Sequence, residues 1–225
     1  MWCVAELTPE YVAKMEDVLA LYERPYNARE PVVCLDEKPV SLHADVRPAR
    51  VARPGHIAKR DNEYARCGTA NLFGIVEPKA GRHFTTATPD RSAQQFAVMV
   101  RRIVTAYPRA RRLHLVLDNL NIHCQKSLTD AFGPREGRRV WRRLCVHFTP
   151  THGSWLNQAE LELSLVSRGC LGRRRIASLA ALREETRAWT HRANQARTRI
   201  DWRFTRTDAR RKFGYPSKLS TRSQT

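Results

Sequence analysis

Asp118 follows directly on the apolar run Leu113, Leu115, Val116 and Leu117, and the polar residues Asn119 and Asn121 come immediately after it. A short apolar run of this kind lies inside a sheet, and polar residues at its end mark where the chain leaves the sheet edge. A carboxylate at that point is half-buried and needs a partner: a loop amide, the first turn of the next helix, or a cation. A second run, Pro31 to Leu35, leads into Asp36, and Glu160 lies in a later helical pattern. Three acids gathered at one place repel one another unless cations sit between them, and hard oxygen donors on strand ends suit Mg²⁺ or Mn²⁺. Two such ions can activate an attacking hydroxyl and stabilise the leaving oxygen of a phosphodiester.

The elements that must position these acids follow from periodicity and punctuation. Thr8 before Pro9, with Val12, Met15, Val18, Leu19 and Leu21, predicts a capped amphipathic helix to Tyr22. A strand over 31–36 ends in its carboxylate. The basic stretch Val46–Gly55 is a loop, Thr69–Val76 a strand, Pro78–Gly81 a turn and His83–Thr86 a returning strand. A helix opens at Pro89-Asp90 and runs to Ala106, followed by the strand Leu113–Leu117, a helix Lys126–Phe132, a loop Gly133–Gly137 and a strand Leu144–Phe148. Ser154 caps a helix from Trp155 to Cys170. On that helix Asn157, Glu160 and Ser164 form a polar stripe beside the apolar arc, while Glu162 lies on the arc's other edge, so Glu160 is preferred as the third acid. A last helix spans Ser178–Ala196. This order is the layout of an RNase H-like mixed five-stranded α/β sheet flanked by helices, with a basic C-terminal helical extension. In it the first and fourth strands are neighbours and all three acids can meet.

Composition narrows the partners. Forty Lys and Arg against twenty-two Asp and Glu give a net charge of +18, so the surface attracts polyanions, and nucleic acid leads. The arginines recur in pairs and triplets along the chain, as on a folded basic surface rather than a tail. Arg47, Arg50, Arg53, Lys59 and Arg60 in the loop after the first strand, and Arg173, Arg174 and Arg175, are candidate phosphate contacts. Trp202 and Arg203 belong to an aromatic and basic stretch whose rings, Trp202 and Phe204, either stack on bases or pin the C-terminal segment to the domain. Six cysteines, Cys3, Cys34, Cys67, Cys124, Cys145 and Cys170, include no C-x-x-C pair and read as reduced and buried. His123-Cys124 and Cys145-x-His147 match no usual zinc spacing. With no charged-then-apolar leader and no run near the roughly 18 apolar residues of a spanning helix, the expectation is a soluble cytoplasmic protein without a membrane partner.

Cys34-Leu35-Asp36-Glu37-Lys38, Leu115-Val116-Leu117-Asp118-Asn119-Leu120-Asn121-Ile122-His123 and Thr149-Pro150-Thr151-His152-Gly153-Ser154-Trp155-Leu156-Asn157-Gln158-Ala159-Glu160 resemble the three DDE motifs of mariner-related bacterial transposases, the insertion sequence six-thirty family. The third motif is the most specific. Tyr64-Ala-Arg-Cys-Gly-Thr69 and the closing Asp201-Trp-Arg-Phe-Thr and Asp208-Ala-Arg look familial too, so the resemblance covers nearly the whole chain. It implies that Asp36, Asp118 and Glu160 are a metal-binding catalytic triad for two Mg²⁺ or Mn²⁺ ions, with Lys38, Asn119 and Asn157 in support. The implied activity is cleavage at transposon ends and strand transfer into target DNA, typically at TA, within a homodimer. Family members usually carry an N-terminal helix-turn-helix reader, and the residues before Asp36 have no room for one. The implied organisation is an N-terminal helix and linker over 1–30, the catalytic domain over 31–172 and a basic helix and tail over 173–225. The interval from Asp118 to Glu160 is longer than the family's common spacing, and Phe132–Arg143 is the natural place for the extra loop. The residues alone reach only a basic α/β protein with a candidate metal-dependent nuclease site. The rival readings are a non-catalytic DNA-binding remnant of a transposase, and an RNA-binding protein whose charge would be explained and whose acids would not.

Overall fold

The computed structural model describes residues 6–216; Cys3 and the polar end Ser217–Thr225 lie outside the described residues. Helix α1 (Pro9–Glu23) begins as its sequence demands, with the Thr8 hydroxyl accepting from the Tyr11 amide at 3.1 Å. Strands β1 (Val32–Asp45) and β2 (Tyr64–Glu77) form a long antiparallel ribbon, and the short β3 (Arg82–His83) and β4 (Thr86–Thr88) both return along β2. Then come α2 (Ala93–Ala106), β5 (Leu113–Leu117), α3 (Gln125–Phe132), α4 (Pro134–Trp141), β6 (Leu144–Phe148), α5 (Ala159–Leu165), α6 (Leu179–Ala196) and α7 (Arg206–Phe213). The sheet is mixed, in the order β3-β2-β1-β5-β6 with β4 also on β2, and β1, β5 and β6 are parallel neighbours.

Burial explains the layering. Along β1 and β5 alternate side chains enter opposite cores. Val33, Leu35, Leu113, Leu115 and Leu117 meet Phe96, Val100 and Ile103 of α2, Leu128 of α3 and Val140 of α4. Cys34 and Val116 meet Met15, Val18 and Leu19 of α1, with Leu156 and Ala159. A third cluster places Leu163, Val166 and Leu182 on Leu42, Ala70 and Leu72 of the ribbon. Buried on both faces, β5 is apolar at every position but His114, close to the run its sequence shows.

Several expectations change in detail. The sheet has six strands rather than five, because the single return strand expected over His83–Thr86 is split in two. β1 does not end at Asp36: its parallel pairing with β5 stops at Cys34, but its ladder with β2 continues to Asp45. The basic loop is the tip of this ribbon, folded back through the bridges Arg50↔Lys59 and Arg53↔His56. α2 starts at Ala93, where Ser92 caps the Gln95 amide, and not at Pro89. The segment Gly133–Gly137 is no loop. Pro134 at the first helical position, Glu136 in the first turn and an ion pair from Glu136 to Arg139 start α4 there, and Gly137 lets it lie against the backbone of Leu128 and Thr129 on α3. The helix expected over Trp155–Cys170 is three pieces: a 3₁₀ turn Ser154–Leu156, α5, and a π-helical stretch Val166–Leu171. Ser154 therefore does not cap it. Among the described residues no cysteine is bridged, and Cys67 is exposed rather than buried. No described helix is long and apolar enough to cross a membrane.

Candidate active site and metal centre

The ladder between β1 and β5 pairs Val32 with His114, Val33 with Leu115 and Cys34 with Val116. Asp36 and Asp118 each lie two residues beyond the last pair, so alternation turns both carboxyls to the face that α1 and the start of α5 cover. Asp36 is half-buried, and its Oδ1 accepts from the Glu37 amide at 2.8 Å. Burial, reinforced by the charges of Glu37, Asp118 and Glu160, pushes its carboxyl up to about 7 against that hydrogen bond. The two distant acids of the triad are thus close enough for Asp36 to feel both.

Asp118 is held differently. Its Oδ1 accepts from the Leu120 amide at 3.2 Å and from His123 Nδ1 at 2.7 Å. Burial alone would raise it, but the His123 contacts, the Leu120 amide and the charge of Arg91 keep it below the usual carboxylate range. His123 is enclosed, with its Nε2 donating to Glu37 Oε1 at 3.0 Å and its ring against Phe96. Burial opposes its charge, yet Asp118 and Glu37 together raise it to about 10. Glu37, Asp118 and His123 have ligand atoms within 4.8 Å of one another. An imidazolium donating through both nitrogens has no lone pair for an ion, so this group serves to orient Asp118. His123 and Glu37 lie inside the motifs of Asp118 and Asp36 and have no separate role in the sequence pattern. The signal available was a histidine five residues past a strand-end aspartate, close enough to fold back on it.

Glu160 is exposed on the first turn of α5, with Ser154 Oγ donating to its Oε1 at 3.4 Å. Glu162 is fully buried and accepts from His83 Nδ1 at 2.8 Å and Thr85 Oγ1 at 2.7 Å, so it belongs to the packing of β3 and α5. Asn157 does not share a helical stripe with Glu160. It is extended and buried, its Nδ2 donating to the Leu35 carbonyl at 2.7 Å and its Oδ1 accepting from the Ala159 amide at 3.1 Å. It fastens the start of α5 to the residue before Asp36, which is support by positioning. Behind Asp36, the register partner Gly74 lets α5 approach β2: a Cβ there would stand 2.6 Å from Leu163 Cγ. Lys38 reaches Ser167 Oγ at 2.8 Å, and Asn119 donates to the Thr149 carbonyl at 2.5 Å.

The donor set offered by Asp36, Asp118 and Glu160 is all carboxylate oxygen, which fits Mg²⁺ or Mn²⁺ and does not fit a soft ion. The raised carboxyl of Asp36 comes first from its burial, with the neighbouring charges of Glu37, Asp118 and Glu160 adding to it.

The basic residues separate into two groups. Arg47 pairs with Asp61, Arg60 with Asp45, Arg174 with Glu185, Arg175 with Asp45 and Arg203 with Asp201. Arg175 also donates to the carbonyls of Asp61, Asn62 and Glu63, and so braces the ribbon's tip. Among the described residues Arg50, Arg53, Lys59 and Arg173 enter no ion pair and are exposed. Trp202 is half-buried, donates to the Phe204 carbonyl at 2.8 Å and packs on Tyr22 at 5.4 Å, with Trp155 stacked on its other side. These contacts tie the C-terminal segment to α1 and to the turn before α5.

A family model described as DDE superfamily endonuclease matches residues 31–183. No protein of curated function matches by sequence. Among solved structures, the fold is similar to that in the Mos1 transposase paired-end complex with left transposon end, at TM-score 0.55 and 16% identity over 85% of this chain and 57% of that chain. It is similar to the Mos1 mariner paired-end complex with Mn, at TM-score 0.56 and 16% identity over 85% and 58%. It is also similar to a pre-cleavage Mos1 transpososome, at TM-score 0.54 and 14% identity over 90% and 67%. The chain thus spans a little under three-fifths of the paired-end chains it matches. The likeness establishes the RNase H-like fold.

Proposed function

Since this chain belongs to the DDE superfamily endonucleases, we propose that it is a transposase catalytic domain that cuts DNA phosphodiesters at transposon ends and joins the freed 3′-hydroxyl to target DNA. The observation that carries this reading is the register of β1 on β5, which leaves Asp36 and Asp118 each two residues beyond the last pair, with Asn157 tying the start of the helix that bears Glu160 to Leu35. Asp36, Asp118 and Glu160 would hold two Mg²⁺ or Mn²⁺ ions. When bound, such ions supply the Lewis-acid charge that lowers the pKa of an attacking hydroxyl and stabilises the leaving 3′-oxygen.

The chain's own residues do the positioning. His123, backed by Glu37, fixes Oδ1 of Asp118 and leaves its other oxygen for an ion. Asn157 sets the distance between Glu160 and the strand carrying Asp36. Arg50, Arg53, Lys59 and Arg173 hold the DNA backbone. The finer assignment, a mariner-related element of the insertion sequence six-thirty family acting on TA as a homodimer in the cytoplasm, rests on the third motif. A domain division of 1–30, 31–172 and 173–225 goes with it.

The test is relaxation of supercoiled plasmid in Mg²⁺ or Mn²⁺. Wild type nicks, chelator stops it, and Asp118→Asn is inactive while its circular dichroism is unchanged, because the isosteric amide still accepts from the Leu120 amide and His123 through its oxygen. Metal-independent nicking, or nicking by Asp118→Asn at the wild-type rate, would sink the proposal.

A further inference from the structure

A second cluster of ligating side chains lies at the opposite end of β5 from Asp118. His114 on β5 and Cys145 on the edge strand β6 are direct register partners, and His147, two residues on, turns to the same face. His114 and His147 are buried, and Cys145 is half-buried. His114 Nδ1 and His147 Nε2 stand 2.9 Å apart, and a ligand atom from each of the three residues lies within 4.8 Å of the others. His147 Nδ1 donates to Asp17 Oδ2 of α1 at 2.6 Å. Among the described cysteines, Cys145 is the one whose sulfur takes part in no hydrogen bond.

These contacts constrain one another. The proton given to Asp17 leaves His147 Nε2 as a lone pair, and that lone pair points at His114 Nδ1 and the side of the Cys145 thiol. Ligand atoms of a tetrahedral zinc site are about 3.3–3.6 Å apart at the usual bond lengths of roughly 2.0–2.3 Å, so the two rings would spread slightly from 2.9 Å and the Cys145 sulfur, within 4.8 Å, would close on them. Metal-bound histidines characteristically give their other N–H to a carboxylate, and Asp17 occupies that place. One sulfur and two imidazoles make a donor set for a borderline-soft ion, unlike the all-oxygen set at Asp36 and Asp118.

We propose that His114, Cys145 and His147 form a zinc site, with Asp17 orienting His147 and one position left for water. The Cys145 thiol gives its proton to solvent on binding, and His114 shifts its proton from Nδ1 to Nε2, so the net release is one proton. The ion ties the edge strand β6 to the strand that ends in Asp118 and, through Asp17, to α1. In the sequence, Cys145-x-His147 and His123-Cys124 match no usual zinc spacing. The fold instead gives His123 to Asp118 and puts His114 beside the pair.

The experiment uses the full chain, stripped of metal and titrated with Co²⁺. The expected result is a near-ultraviolet thiolate-to-cobalt band that saturates at one equivalent and is erased by Zn²⁺. Cys145→Ser should lose the band, and Asp36→Asn should keep it, which separates this site from the carboxylate centre. Asp17→Asn should keep the band with Zn²⁺ bound about ten- to a hundredfold more weakly, as loss of an orienting carboxylate does elsewhere. A wild-type measurement guards against a misfolded variant: Zn²⁺ should slow alkylation of Cys145 at least tenfold while leaving exposed Cys67 unprotected. No band in wild type, a band that survives Cys145→Ser, or alkylation of Cys145 at the same rate with and without Zn²⁺ would overturn the proposal.

Discussion

Two glutamates two residues apart on α5 carry opposite duties, and the reason lies in what each touches. Glu160 faces solvent beside Asp36, whereas Glu162 is buried with His83 and Thr85. Glu160→Gln should abolish metal-dependent nicking with little change in stability. Glu162→Gln should keep nicking per folded molecule but cost about 1–3 kcal/mol, the penalty of weakening a buried hydrogen-bonded group. That cost should depend on pH. Burial disfavours the charge on His83, but Glu162 outweighs it and raises the imidazole above its ordinary value of 6.5. A raised histidine contributes stability that is fully present below the unfolded value and is lost as pH rises through the folded one. Urea denaturation should therefore show Glu162→Gln more costly near pH 6 than near pH 9; the reverse order would mean that the pair is not ionic. The arc that favours Glu160 in the sequence assumes one helix from Trp155 to Cys170, and the fold breaks that stretch into three pieces, with Asn157 extended outside α5. The burial of Glu162 was not legible either, because its partners lie on strands some eighty residues earlier in the chain.

The placing of Glu160 depends on how closely α5 can lie on the ribbon. Gly74, opposite Asp36, leaves the room that Leu163 fills. Gly74→Ala should push α5 outward, destabilising the fold by about 1–3 kcal/mol through overpacking and lowering nicking further than that loss explains. Adding Leu163→Ala should recover part of the activity; failure of the pair to recover any would show that α5 is not positioned at this contact. β5 was readable because a strand buried on both faces is mostly apolar, here at every position but His114. The full length of β1 and β2 was not, since Tyr64–Thr69 and Lys38–Pro39 are exposed and their order comes from the ladder between the strands. α4 escaped notice because Gly133, Pro134 and Gly137 read as turn residues. In the fold they start a helix and let it lie on its neighbour. The π-helical turn after α5 has no periodicity that a sequence would display.

Across the whole molecule the net charge of +18 is not uniformly available. Arg47, Arg60, Arg174 and Arg175 answer carboxylates within the fold, while Arg50, Arg53 and Lys59 at the ribbon's tip are open. Phosphate contacts position DNA without reading it, so duplex binding should fall by orders of magnitude between about 50 and 200 mM salt, with little preference between element-end and random sequence. Fluorescence anisotropy on both duplexes checks this. Arg50→Ala or Lys59→Ala should lower the salt slope by about one each, whereas Arg175→Ala should instead loosen the ribbon and lower stability. A preference for one sequence that persists at high salt would reveal base-edge readout by this chain. Composition points to a polyanionic partner, and the folded ion pairs show which cations are left free to meet one.

The central claim is that Asp118 touches the divalent ion on which cleavage depends, and exchanging the hardness of that one ligand tests it directly. Carboxylate oxygens suit Mg²⁺, whereas a thiolate discriminates against it in favour of softer ions. Plasmid nicking by Asp118→Cys should be lost in Mg²⁺ and return in Mn²⁺, with wild type active in both. Equal activity of Asp118→Cys in the two metals, or its inactivity in both while the protein remains folded and binds DNA, would contradict a metal ligand at this position.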